Sequence, residues 1–280
     1  MNTLKDLLNY ALETLQSANM INPRLEAEAL LSGFLRKDKL YLITHNDELI
    51  KENDAKLFKV ILKRRAMGEP LAYILGKKEF YGKEFFVNKS VLIPRPETEL
   101  LIDLIKEHTN DEIKILDLCA GSGCIGLTLG SELPLSKVTL SDVSKDALAV
   151  IKKNALILGL ENKVKIIVSD LFQNISEKFN VIVSNPPYIT SRDILGLETS
   201  VRDYEPKIAL DGGADGLTFY KKIIPAAKKF LLPKGKIFFE IGFDEADAVK
   251  AILSENKFSD IKVYKDLAEL DRVVMGTFNQ

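Results

Sequence analysis

Ile113-Lys114-Ile115-Leu116-Asp117-Leu118-Cys119-Ala120-Gly121-Ser122-Gly123-Cys124-Ile125-Gly126 is the stretch on which the fold turns. Residues 113–118 form a short apolar run that reads as a buried strand, and the glycine-rich turn after it opens a helical pattern. Glycine has no side chain to keep a ligand away, so the backbone amides of such a turn approach a flat or anionic group closely. Gly121, Gly123 and Gly126 also satisfy the dinucleotide spacing GxGxxG. Alone that is a weak signal, and it keeps an NAD-dependent enzyme or a noncatalytic nucleotide-binding module among the readings. Asp117 argues against a pyrophosphate, which its charge would repel. It suits a residue that orients the loop, caps the helix or meets a cation.

Outward from this turn the chain alternates. Further strand-like runs at 137–140, 164–168, 181–184 and 236–241 are separated by helical stretches such as 145–158 and 217–230. Such alternation predicts a doubly wound α/β fold, a parallel sheet with helices on both faces. At the end, 261–264 and 272–278 are joined by KDLAELD, too short for a helical crossover, so they are expected to pair antiparallel at the sheet edge.

Upstream the character differs. Leu4, Leu7, Leu8, Ala11, Leu12 and Leu15 recur at helical spacing, a second helix starts at Asn22-Pro23 with Asn22 as its cap, and a third covers 53–65 before Met67-Gly68-Glu69-Pro70. Between the two regions, KKEFYGKEFFVN (77–88) predicts a β-hairpin turning at Tyr81-Gly82-Lys83, with Phe80, Tyr81, Phe85 and Phe86 as packing residues. The expected organisation is a helical bundle over 1–75, a hairpin linker over 76–95 and an α/β domain over 96–280.

A length of 280 residues suits two domains at ~150 residues each. The 39 basic and 40 acidic residues nearly cancel, so the chain as a whole is not built to wrap nucleic acid, and direct nucleic-acid binding is not expected. With 46% hydrophobic and 28% charged residues it has the means to fold. No apolar run approaches the ~18 residues of a membrane span, so no membrane association is expected. Lys5, Asp6 and Glu13 interrupt the N-terminal apolar pattern as no signal-peptide core would allow, and the expected location is cytoplasmic. Cys119 and Cys124 read as reduced thiols. His45 and His108 lack ligand-type neighbours, so no metal is expected. Lys63-Arg64-Arg65 reads as a solvated helix end favoured by the dipole.

The chemistry lies at the carboxyl ends of the strands. Asp142 ends the second strand, where doubly wound folds place a carboxylate that accepts ribose hydroxyls. Ser169-Asp170-Leu171-Phe172 offers a carboxylate and an apolar edge suited to an adenine ring. Asn185-Pro186-Pro187-Tyr188 ends the fourth strand. There the Asn185 side-chain oxygen and the rigidly held Pro186 carbonyl can accept both hydrogens of a planar NH2 group, and Tyr188 supplies an aromatic face. Such a clamp suits an amide or an exocyclic amine.

Taken together, Asp117–Gly123, Asp142, Asp170 and Asn185–Tyr188 resemble the S-adenosylmethionine (SAM) methyltransferases that carry an NPPY motif, among them adenine-N6 methyltransferases and protein glutamine methyltransferases. PLAYILGKKEFYG (70–82), VLIPRPETE (91–99), YEPKIALDGGADGL (204–217) and KDLAELDRVV (265–274) are similar to the release-factor glutamine methyltransferases, and the resemblance covers nearly the whole chain. Glu269-Leu270 departs from it where that family more often carries a glycine.

The resemblance implies a Rossmann-like domain, a mostly parallel seven-stranded sheet with an antiparallel edge pair. It implies methyl transfer from SAM, leaving S-adenosylhomocysteine, to the glutamine of the GGQ loop of peptide chain release factors, an event that modulates translation termination. Asn185, Pro186 and Tyr188 would be catalytic. Asp117, Cys119, Ala120, Gly121, Ser122, Gly123, Asp142, Val143, Asp170, Leu171 and Asn185 would bind the cofactor, and Asn185, Pro186, Pro187 and Tyr188 the substrate. Arg95, Glu97 and Thr98 would either close over the cofactor or start a helix. Residues 189–216 and the helical domain would orient the protein substrate. The runner-up is an adenine-N6 methyltransferase of DNA or RNA, although no target-recognition module remains after the two domains are assigned.

Overall fold

The computed structural model describes residues 2–110 and 112–279. The chain divides into two compact units, Met1–Gly76 with Glu198–Tyr204, and Lys77–Leu197 with Glu205–Gln280.

The first unit contains β1 (Asn2–Thr3), α1 (Leu4–Ser17), α2 (Pro23–Leu35), α3 (Lys39–Thr44), β2 (Leu49–Ile50), α4 (Glu52–Ala66) and α5 (Leu71–Leu75). A capping box starts α1. The Thr3 hydroxyl accepts from the Asp6 amide at 3.1 Å, and the Asp6 carboxylate accepts from the Thr3 amide at 2.9 Å. Leu4, Leu7, Ala11 and Leu15 then face inward onto a core shared with Leu30, Leu31, Phe58 and Leu62. The expected cap on α2 is absent, because the Asn22 side chain makes no capping hydrogen bond. Its backbone carbonyl takes the Glu26 amide at 3.0 Å, and Pro23, which has no amide hydrogen to satisfy, starts the helix. The end of α4 is less solvated than the sequence suggests. Arg64 makes a bidentate pair with Glu69, 2.7 Å at both contacts, and Arg65 binds Glu26 and the Glu69 carbonyl.

The second unit opens with a hairpin of β3 (Lys77–Phe80) and β4 (Lys83–Phe86). Tyr81 at φ +51° and Gly82 at φ +68° make the two-residue turn whose hand matches strand twist. Phe80 and Phe85 are buried among this unit's helices, and Asn154 grips the Phe86 backbone from both sides, accepting at 2.7 Å and donating at 3.0 Å. There follow α6 (Glu99–His108), β5 (Lys114–Leu118), α7 (Cys124–Glu132), β6 (Lys137–Asp142), α8 (Lys145–Ile157), β7 (Val164–Val168) and β8 (Phe179–Ser184). After α9 (Thr199–Arg202), which belongs to the first unit, come α10 (Thr218–Ala227), β9 (Leu231–Glu240), α11 (Ala246–Glu255), β10 (Phe258–Lys265) and β11 (Asp271–Phe278).

Seven strands form one sheet in the order β10-β11-β9-β8-β5-β6-β7. From β9 to β7 all pairs are parallel, whereas β11 runs antiparallel to both its neighbours, as the short final connection requires. Successive residues point to opposite faces. Ile115, Val181, Val183 and Phe238 meet the helices α6 to α8, while Leu116, Leu118, Ile182 and Phe239 meet α10 and α11. Both faces are therefore covered, which is why these strands read as continuous apolar runs. In the turn before β11, Glu269 sits at φ +61°, the left-handed conformation that explains a glycine preference there. Asp266 braces this turn by accepting from the Ala268 and Leu270 amides and from Arg272. No helix among the described residues is long and apolar enough to cross a membrane.

Candidate active site

The strand order reverses between β5 and β8, the switch point at which doubly wound sheets bind ligands beyond the strands' carboxyl ends. The buried Ser184 hydroxyl donates to the Leu118 carbonyl at 2.6 Å and ties these two strand ends together. The glycine turn leaves β5 on one side of this tie, and Asn185-Pro186-Pro187-Tyr188 leaves β8 on the other.

Gly121 and Gly123 adopt φ +55° and +79°, so the turn needs the left-handed region that glycine enters freely. Asp142 holds the turn in place. Its Oδ2 accepts from the Gly121 amide and its Oδ1 from the Ser144 amide, both at 2.9 Å. Burial raises the Asp142 pKa, and the amides of Ser144, Gly121 and Val143 oppose that rise. Asp117 lies fully buried beneath the turn. Its Oδ2 accepts from the Gly126 amide at 2.8 Å, and its Oδ1 has no hydrogen-bond partner among the described residues. Burial pushes its pKa up to about 7, the Gly126 amide opposing and the nearby Asp142 adding to the rise. Gly126 is a packing glycine, since a Cβ there would stand 2.9 Å from both Asp117 Oδ2 and the Leu140 side chain.

A cavity of about 340 Å³ opens at this rim. Of the sequence-predicted site residues, Cys119, Ala120, Gly121, Ser122, Asp142, Val143, Asp170, Leu171, Asn185 and Pro187 line it. Asp117, Gly123, Pro186 and Tyr188 do not. Burial pushes the Cys119 and Cys124 thiols up to about 12, which disfavours the thiolate form a nucleophile needs. No group of His, Cys, Asp and Glu suited to hold a metal ion occurs among the described residues.

The IPRPETE segment supplies another wall. Arg95 and Thr98 line the cavity and Glu97 does not, while Pro96–Thr98 forms the helical turn that leads into α6. Its position is fixed by the buried Glu205, which accepts from Arg95 Nη2 at 2.5 Å and from the Ile93 amide at 3.0 Å. The glycine-rich segment 212–216 supports the far side of the motif. The Ile189 amide donates to the Leu210 carbonyl at 3.1 Å, and the Gly212 amide donates to the Ile189 carbonyl at 2.8 Å. A Cβ on Gly212 would come within 2.7 Å of the Tyr188 Cα, so only glycine lets these backbones touch.

Two contacts link the motif to residues that sequence reasoning did not connect with it. Asn185 Nδ2 lies 3.5 Å from Thr98 Oγ1, and the Tyr188 hydroxyl lies 3.4 Å from Oε1 of the buried Glu240. Burial raises the pKa of the Glu240 carboxyl and pushes that of the Tyr188 phenol well above the usual value. The available signal for Glu240 was a carboxylate closing the apolar run Ile237-Phe238-Phe239 at the same rim as Asp142 and Asn185.

Comparison with known proteins places this geometry. Residues 6–76 match the family model described as PrmC N-terminal domain, and residues 96–197 match the methyltransferase small domain. The release factor glutamine methyltransferase of Clostridium acetobutylicum is 43% identical over 278 residues, spanning 98% of both chains. That of Koribacter versatilis is 40% identical over 98% of both. A bifunctional methyltransferase of Rickettsia conorii is 39% identical over 98% of this chain, which spans 57% of that longer protein. Among solved structures, a methyltransferase from Pyrococcus furiosus shares the fold, with a TM-score of 0.55 at 18% identity over 78% of this chain and 98% of that one. With such identity along almost the whole of both chains, this protein belongs to the release factor glutamine methyltransferase family.

Proposed function

We propose that this protein transfers a methyl group from SAM to the side-chain amide nitrogen of the glutamine in the GGQ motif of peptide chain release factors, in the cytoplasm, where termination takes place. The observation that carries the reading is that one cavity at the switch point brings together the glycine turn, Asp142 and Asn185.

The residues present fit the cofactor. The cavity lies in the volume range of small-molecule sites. Asp142 uses one lone pair of each oxygen on the backbone and keeps others for ribose hydroxyls. Val143 and Leu171 supply apolar surface for an adenine ring, beside the Asp170 carboxylate. When bound, SAM supplies an electrophilic methyl group on a sulfonium centre.

The chain's own work is then positioning. An amide nitrogen is a poor nucleophile because its lone pair is delocalised. Asn185 Oδ1 and the Pro186 carbonyl accept its two hydrogens and aim the lone pair along the line of displacement, while Pro187 and Tyr188 flank the glutamine side chain. No strong base is needed before attack, because the proton becomes acidic only once the nitrogen carries the methyl group. Orientation of this kind supplies up to ~7–11 kcal/mol in well-aligned systems. The helical unit, with residues 189–216, serves to orient the protein substrate.

The test is methyl transfer from labelled SAM to a release factor, to its GGQ-to-GGA variant and to DNA. Label on the intact factor alone is the expected result. Label on adenine with none on the release factor would overturn the substrate assignment and leave the clamp in place.

A further inference from the structure

We propose that Glu205 determines specificity in the cofactor cavity: by pairing with Arg95 it cancels a cation on the cavity wall and so preserves the preference for SAM over S-adenosylhomocysteine. The inference rests on the reading of the cavity as the SAM site.

The two compounds differ by a methyl group and by one positive charge, carried on the sulfur. Each turnover therefore replaces a cation with a product that lacks that charge, and a charge on the wall acts on the one more than on the other. The charged side chains that line the cavity are Arg95, Asp142, Asp170 and Lys222. The two aspartates favour a sulfonium. Lys222 is exposed, where water and salt screen it. Arg95 is two-thirds covered, its side chain being 32% exposed, so its charge is screened less.

Arg95 also belongs to the part of the wall that meets Asn185. The Thr98 amide donates to the Arg95 carbonyl at 3.2 Å, and Thr98 Oγ1 lies 3.5 Å from Asn185 Nδ2. The charge of Arg95 reaches the motif, for burial raises the pKa of the Tyr188 phenol and Arg95 is among the cations that oppose the rise. An uncompensated guanidinium at this place would repel the sulfonium and leave the product untouched.

Glu205 removes that repulsion. Its side chain is 1% exposed, its Oε1 accepts from Arg95 Nη2 at 2.5 Å, and its Oε2 accepts from the Ile93 amide at 3.0 Å. A buried ion pair is a weak device for stability alone, since the cost of desolvation offsets the attraction. As an anchor for the Ile93 amide, a neutral oxygen would serve as well. What only a carboxylate supplies is charge balance. With the pair intact, Arg95 stays on the wall without a net charge, and a sulfonium meets chiefly the field of Asp142 and Asp170.

Glu205→Gln keeps the outline and an acceptor oxygen but removes the negative charge. Arg95→Gln removes the positive one, and the double variant removes both. Each full-length variant is titrated with SAM and with S-adenosylhomocysteine by calorimetry at about pH 8 and low salt, with its melting temperature recorded alongside. The readout is the ratio of the two dissociation constants, in which any loss of cavity shape common to both compounds cancels. Like charges ~10 Å apart at an effective dielectric of ~20 change a binding constant about 10-fold, and solvent reduces this, so Glu205→Gln should shift the ratio by about 3- to 10-fold toward the product. The shift should shrink as salt is added. Arg95→Gln should move the ratio the other way, toward SAM, and the double variant should return it close to the wild-type value. Equal weakening of both compounds in Glu205→Gln would overturn the proposal and leave Glu205 a structural anchor. So would a double variant whose ratio stays at the Glu205→Gln value. A wild-type protein that binds neither compound would instead overturn the cofactor reading on which the inference rests. The single substitutions predict shifts of opposite sign, so a folding defect in one leaves the other to decide.

Discussion

Asp142 performs two tasks with one carboxylate, bracing the glycine turn through the Gly121 amide and offering its remaining lone pairs to the cavity. Asp142→Ala should therefore weaken SAM and S-adenosylhomocysteine together, by about 1.5–3 kcal/mol for hydrogen bonds to a charged group. Calorimetry with each compound measures this, and unchanged affinity for both would remove Asp142 from the site. Asp117, one layer below, shows its effect in stability. Its carboxyl is raised from 3.8 to about 7 because burial disfavours the charge. The folded state therefore binds a proton that the unfolded chain releases near pH 4, and folding becomes progressively less favourable as pH rises from about 4 to about 7. The slope from this single group is at most ~1.4 kcal/mol per pH unit. Asp117→Asn keeps an acceptor for the Gly126 amide and has no charge to bury, so its urea midpoint should lack this component of the pH dependence. A wild-type profile that matches the variant's across that window would show that Asp117 titrates normally.

At the scale of elements, the motif is held as much by what lies behind it as by its own prolines. Segment 212–216 touches the NPPY turn backbone to backbone, with the Gly212 amide on the Ile189 carbonyl. Gly212→Ala forces either the segment or the turn to move, at a cost of about 1–3 kcal/mol in stability. The single-turnover rate should fall even with SAM saturating, because the motif is displaced while the glycine turn and Asp142 are not. A variant with the melting temperature and rate of the wild type would show that the close approach is not needed. None of this could be read from local sequence rules, which register a glycine but not the backbone it lies against. The strands β5 to β8 were legible because strands buried on both faces are continuous apolar runs. The early part of β9 was not, since Pro233, Lys234 and Gly235 interrupt its pattern. The two-residue strands β1 and β2 are too short to show any period. The cavity-lining Gly121, Asp142, Asp170 and Asn185 were legible as polar or glycine positions at strand ends. Thr98, in the turn before α6, and Glu240, at the end of β9, are far apart in sequence and meet the motif only in the folded chain, so no spacing rule could join them to it.

At the scale of the whole molecule, each unit has its own apolar core, around Leu4, Leu30 and Phe58 in the first and on both faces of the sheet in the second. The sequence reading treated the hairpin as part of a linker over 76–95. A fragment carrying the second unit should begin at Lys77, because Phe80 and Phe85 are buried in the second core, and losing a buried phenylalanine side chain costs about 3–5 kcal/mol. A chain spanning 77–280 keeps the glycine turn, Asp142, the Asn185 motif and the Thr98 wall, so it should bind SAM with nearly full affinity. It loses α1 to α5, and residues 198–204 lose the unit with which they cluster. If that unit recognises the release factor, kcat/KM on the intact factor should fall at least ~10-fold while a short GGQ peptide, too small to reach it, is methylated at a rate close to that of the full chain. Calorimetry with SAM comes first, since a fragment that does not bind cofactor has lost its fold and its activity carries no message. Equal kcat/KM of the fragment and the full chain on the intact factor would show that the helical unit is not a recognition module. An equal fall on factor and peptide, with SAM affinity intact, would place its contribution in shaping the segment behind the motif.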